Sequence, residues 1–179
     1  VARFSAATAF MLLSTLATAG HAKDRAPAFD GASVNVVLAG HITAKCSVGG
    51  GTTISLGELA ADKQATARFD VGCNVPFEMV FRSASGGIAH ATQPQGEGPY
   101  VGLVPYRLGV TVPALSPSPT QLHADFTSNQ MIAGAALNSG DAIAAGGGEI
   151  RLQTEMVQGR DLLAGQYVDS ITIVINPRV

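Results

Sequence analysis

The sequence has 179 residues, 46% of them apolar and only 13% charged, with 11 Lys and Arg against 13 Asp and Glu for a net charge of −2. That length suits one domain plus a short targeting segment, and so high an apolar share with so little net charge excludes a disordered chain. With no basic run, nothing favours nucleic acid or an anionic membrane as a partner, and 21 glycines without a single Trp fit an exported all-β protein better than a cytosolic helical one.

Residues 1–22 read as a secretory signal. Arg3 supplies a minimal positive region, and residues 6–19 are uncharged and mostly apolar. That stretch falls short of the roughly 20 residues of a membrane-spanning helix. Gly20 and Ala22 place small residues at −3 and −1 of a cleavage site, with a rival cut after Ala19. The expected organisation is therefore a signal over 1–22, an N-terminal extension over 23–44 and a β-sandwich domain over 45–179. Export to the periplasm and beyond, with no membrane insertion after cleavage, follows from it.

Strand-like stretches then alternate with Gly, Pro and Asn clusters. Residues 33–44 (SVNVVLAGHITA) are β-branched and extended, with Val34, Val36, Leu38 and Ile42 sharing one parity. Residues 52–59 predict a short strand. Residues 65–73 predict a longer one, with Ala65, Ala67, Phe69, Val71 and Cys73 on one face. Residues 77–82 predict the next. Residues 83–100 read as loop, 104–112 as strand, 113–120 as a proline-rich turn or edge loop, and 134–148 as a low-complexity stretch of no clear type. Residues 149–157 alternate again. The clearest strand lies in 165–176, where Tyr167, Ile171, Ile173 and Ile175 are expected to face inward, with Thr172 and Val174 opposite. Many short strands between turn signals predict an immunoglobulin-like Greek-key sandwich.

Cys46 and Cys73 are an even count in a chain expected to be exported, which reads as one disulfide. It closes a loop of about 28 residues, worth on the order of 3–4 kcal/mol by chain entropy. The alternatives are two free thiols or a metal pair, but there is no C-x-x-C and no His at ligand spacing. His41, His90 and His123 lie far apart in the sequence and read as surface or loop residues. Asp70 and Asp125 could pair with a His only through the fold. The glycine runs at 49–51 and 146–148 lack the Lys-Ser/Thr of a phosphate loop, and no G-x-S-x-G occurs. The sequence predicts neither an enzyme nor a cofactor.

Four segments together carry a family likeness. They are 34–48 (VNVVLAGHITAKCSV), 65–81 (ATARFDVGCNVPFEMVF), 104–110 (VPYRLGV) and 164–176 (AGQYVDSITIVIN). In this order, with a cysteine in each of the first two, they resemble the spore coat protein U-like family, which includes subunits of archaic, Csu-type chaperone–usher pili. The sequence departs from the family pattern in lacking Trp, in its Pro-, Ala- and Gly-rich residues 113–148, and in the Asn-Pro-Arg-Val that follows the last strand. The resemblance implies a sandwich short of its final strand. A periplasmic chaperone lends a strand first. The N-terminal extension of another pilin subunit, of the same or another kind, then replaces it at an outer-membrane usher. Val34, Val36, Leu38 and Ile42 are the donor-strand residues on that reading. The product is a surface fibre supporting adhesion and biofilm formation. Periodicity alone leaves two possibilities for 33–42, a donated strand or the first strand of a complete sandwich. The second would make the chain a self-contained secreted or periplasmic binding module.

Overall fold

A computed structural model describes residues 33–178 except residues 52, 60, 61, 156 and 158. The expected signal and residues 23–32 of the extension lie outside the described residues. The chain divides after Gly40 into two units. In the first, residues 33–40 form no helix or strand.

The second unit is nearly all β. In chain order its strands are β1 (Cys46–Gly49), β2 (Gln64–Cys73), β3 (Phe77–Ser83), β4 (Ile88–His90), β5 (Leu103–Val104), β6 (Tyr106–Ser116) and β7 (Ser118–Thr127). A single helical turn, α1 (Gln130–Ala133), precedes β8 (Ala135–Asn138), β9 (Ile143–Ala144), β10 (Gly148–Thr154), β11 (Tyr167–Val168) and β12 (Ile171–Pro177). One antiparallel sheet runs β1-β2-β10-β6-β7, with β9 joined to β2 and β6. A second runs β12-β3-β8, and a small third runs β11-β4-β5.

The core fills the space between the two main sheets because their strands alternate as the sequence predicts. Phe69, Val71 and Cys73 point inward from β2, and Phe77, Met79 and Phe81 from β3. Tyr106, Leu108, Val110 and Val112 of β6 are fully buried, and Ile150 and Leu152 of β10 complete the set. The strand order is that of an immunoglobulin sandwich. β1-β2-β10-β6 follow the A-B-E-D order, and β3 and β12 take the places of C and F.

Cys46 and Cys73 form a disulfide at the first rung of the β1–β2 ladder. It ties the edge strand β1 to the core strand β2. Cys46→Ser and Cys73→Ser are expected to behave alike, each lowering stability by about 3–4 kcal/mol. Chemical denaturation of the two variants beside the reduced parent checks this, and unequal losses would show that one cysteine does more than close the loop.

Several expectations need correction. Residues 53–59 form no strand, although Ile54, Leu56 and Leu59 pack against the core. The supposed loop 83–100 contains β4, whose three residues are all buried, so no alternation marks it. The proline-rich turn is the body of a hairpin, because β6 and β7 pair without interruption up to Ser116↔Ser118. The hydrogen bond from Ser128 N to Tyr106 O (2.8 Å) sets the phase of that ladder, so even-numbered residues of β6 bond to β7. Pro113 and Pro119 therefore sit where the hairpin needs no N–H, which is where strands tolerate proline. The low-complexity stretch supplies β8 and β9.

Candidate strand-docking edge

The two main sheets meet along two seams, and the seams differ. At the first, β7 and β8 are brought together beside α1. Met131 of α1 is fully buried there, and the inward residues of β8, Ala135 and Leu137, are buried with it. At the second, β1 and β12 come close with no ladder between them. Each is the outer strand of its sheet. The inward residues of β12, namely Ile171, Ile173 and Ile175, pack on the core yet stay half-exposed, as does Cys46. Their neighbours on β3, Phe77, Met79 and Phe81, have no exposure at all. In the immunoglobulin order the strand that would cover β12 is the seventh, G. No strand among the described residues takes that place.

Among the described residues no strand pairs with the backbone of this edge either. Ala84 N donates to Ser170 O (3.0 Å) and Arg178 N to Pro76 O (2.7 Å). These two bonds set the phase, so even-numbered residues of β12 bond to β3. The N–H and C=O groups of Ile171, Ile173 and Ile175 then point outward to the free edge, while their side chains point to the core. Thr172 is exposed on the opposite face, as is Val174 at 40%. The edge ends at Pro177, which has no N–H to offer. Such an edge, long and apolar on one side, is a template for another strand.

Val34, Val36, Leu38 and Ile42 belong to no sheet and are 75–92% exposed. Four apolar side chains of one parity, with Gly40 between the last two, thus stand in water.

Residues 164–169 (AGQYVD) act as a structural knot that delivers β12 to this edge. A side chain at Gly165 would collide with the imidazole of His90, so only glycine fits there. The Tyr167 hydroxyl lies 2.7 Å from Leu163 O and 3.0 Å from Val101 O and can donate to either. Tyr106 Oη and Ser83 Oγ each donate to Asp169 Oδ2 at 2.6 Å. Asp169 Oδ1 accepts from Ser170 N (2.8 Å) and Ser85 N (3.1 Å). The carboxylate thereby joins β3 and β6, in different sheets, at the point where the chain passes from β11 to β12. Burial first, and then the bond to Asp169, hold the Tyr106 hydroxyl well above its ordinary pKa of 10.0. Tyr106 and Asp169 lie in two different segments of the family likeness, 104–110 and 164–176. Sequence spacing gives no sign that positions 63 apart will meet.

Of the histidines, His41 and His123 are exposed as expected, and His90 departs from that expectation. His90 is buried, not on the surface. Its Nε2 faces Ala164 O (3.2 Å), its Nδ1 accepts from Gln93 N (3.1 Å), and its ring meets Tyr167 edge-on. His123 Nε2 pairs with Asp125 Oδ2 at 3.0 Å, both well exposed on the outer face of β7. Burial explains the first, because β4 is too short to betray itself by alternation. The period-two spacing of one strand explains the second. A small open cavity of about 240 Å³ beside β4 is lined in part by Ser85, Ala89, Gln95 and Arg160. Among the described residues no group of three or more His, Cys, Asp or Glu could hold a metal ion, and no helix is long and apolar enough to cross a membrane.

No family model and no curated protein matches this sequence.

Proposed function

We propose that this chain is a structural subunit of a chaperone–usher surface fibre, polymerised by strand donation between subunits. The observation that carries the reading is the seam at β1 and β12. There a row of inward isoleucines is half-covered, and no strand among the described residues pairs with the backbone edge. A lone subunit leaves these groups exposed, and an extended strand with alternate apolar residues would satisfy both deficits at once. Residues 33–42 have that pattern, with Val34, Val36, Leu38 and Ile42 exposed. The disulfide fits an oxidising compartment, in keeping with passage through the periplasm. A periplasmic chaperone would cover the seam first, and the extension of the next subunit would replace it at an outer-membrane usher. The likeness to the spore coat protein U-like family supports the same assignment. The fibre's expected roles are adhesion and biofilm formation.

Deleting residues 23–40 tests the reading. The shortened chain is expected to form a soluble complex with its chaperone, seen by size-exclusion chromatography, and to be unable to add onto another subunit. If the full chain is instead stable, monomeric and chaperone-independent, yet unfolds on this deletion, the segment belongs to its own sandwich. The chain is then a self-contained binding module.

A further inference from the structure

The root of the N-terminal segment is held by one residue, Asn74, through its backbone and its side chain. Lys45 continues the β1–β2 register one rung beyond Cys46↔Cys73, and Asn74 N donates to Lys45 O at 3.1 Å. The reciprocal bond is made by the side chain, Lys45 N donating to Asn74 Oδ1 at 2.7 Å. The next bonded rung would set Thr43 against Pro76, which has no N–H to give. Asn74 Nδ2 supplies it, donating to Thr43 O at 3.0 Å. Asn74 thus extends a ladder that Pro76 would otherwise end, and it keeps residues 43–45 straight.

A straight root bears on which partner fills the seam. For residues 34–42 to enter the seam of their own chain, beside β1, the backbone must reverse between Ile42 and Cys46. A three-residue hairpin loop over 43–45 is an ordinary length for that. The two side-chain bonds of Asn74, to Lys45 N and Thr43 O, must both break first. We infer that Asn74 is a positioning residue that blocks self-completion, so that the segment is donated to a second copy of this chain rather than folded back. The inference rests on the strand-donation reading above. It goes further in naming what keeps the donor from its own acceptor.

The test uses full chains released from their chaperone complexes over a range of concentrations. Size-exclusion chromatography and a labelled peptide of residues 33–42 score the products. Wild-type chain is expected to form polymer, with closed monomer a small minority. Asn74→Ala is expected to raise the share of closed, peptide-refractory monomer about tenfold, since each lost bond shifts the balance several-fold. Asn74→Asp keeps the acceptor for Lys45 N and should fall between. A purely structural role predicts the opposite sign, a less stable monomer that still takes up peptide. If Asn74→Ala yields no complex, two glycines inserted after Ala44 loosen the same root and should give the same closed monomer. Unchanged partition in the variant, with wild type still polymerising, overturns the role of Asn74 alone. A wild type that stays monomeric and refuses peptide at every concentration overturns the strand-donation reading itself.

Discussion

Asp169→Ala is expected to lower folding stability by on the order of 4–6 kcal/mol, because it removes a charged acceptor of four hydrogen bonds and strands a buried tyrosine hydroxyl. Two of those bonds come from Tyr106 and Ser83, on strands of different sheets. The loss is thus a large part of the 5–15 kcal/mol that typically holds such a domain together. Asp169→Asn keeps one oxygen acceptor and should cost about half as much. Tyr106→Phe separates the tyrosine's share and carries a pH signature. The folded-state pKa of Tyr106 is raised, so its contribution is complete below its ordinary pKa of 10.0 and is lost as pH rises above it. The parent should therefore weaken above pH 10 more steeply than Tyr106→Phe. Urea titrations at pH 7 and above pH 10 check both parts, and parallel alkaline losses would remove Tyr106 as the cause.

Leu38→Arg should abolish fibre growth while leaving the chaperone complex intact. A charge carried into an apolar slot costs about 3 kcal/mol or more, which is over a hundredfold in strand affinity. The variant's own seam is unaltered, so a chaperone can still fill it. Ile173→Asp alters the acceptor instead and should lose both chaperone complex and fibre. Thr172→Asp, one residue away on the exposed face, should lose neither. This three-way pattern is specific to a donor at 34–42 and an acceptor at β12. Co-expression with the chaperone followed by a polymerisation assay reads it. Normal fibres from Leu38→Arg, or equal tolerance at 172 and 173, would rule the assignment out.

Much of the fold was legible because period-two alternation is a direct imprint of a strand with one face in the core. Residues 65–73, 77–82, 149–157 and 171–175 show it, and β2, β3, β10 and β12 lie there. It failed where that imprint was missing. β4 is three residues long and buried on all of them. β8 (AALN) has a single large apolar residue, Leu137. The prolines of 113–119 looked like punctuation because a sequence does not show which side of a strand needs its N–H.

Alternation also occurs at 53–59 and 33–42, where no ladder forms. A repeating apolar face reports what a segment would bury, not whether a partner strand stands beside it. The sequence by itself determined the all-β class, the inward register of the main strands and the single pair of cysteines, since each is a local or compositional property. Only the tertiary structure decided that the β7–β8 seam has α1 beside it while the outer edge of β12 has no partner strand among the described residues. The same holds for the meeting of Asp169 with Tyr106, and for Asn74 supplying the N–H that Pro76 lacks. These depend on which distant strands become neighbours, and that is set by packing of the whole sandwich, not by the order of residues along any one strand.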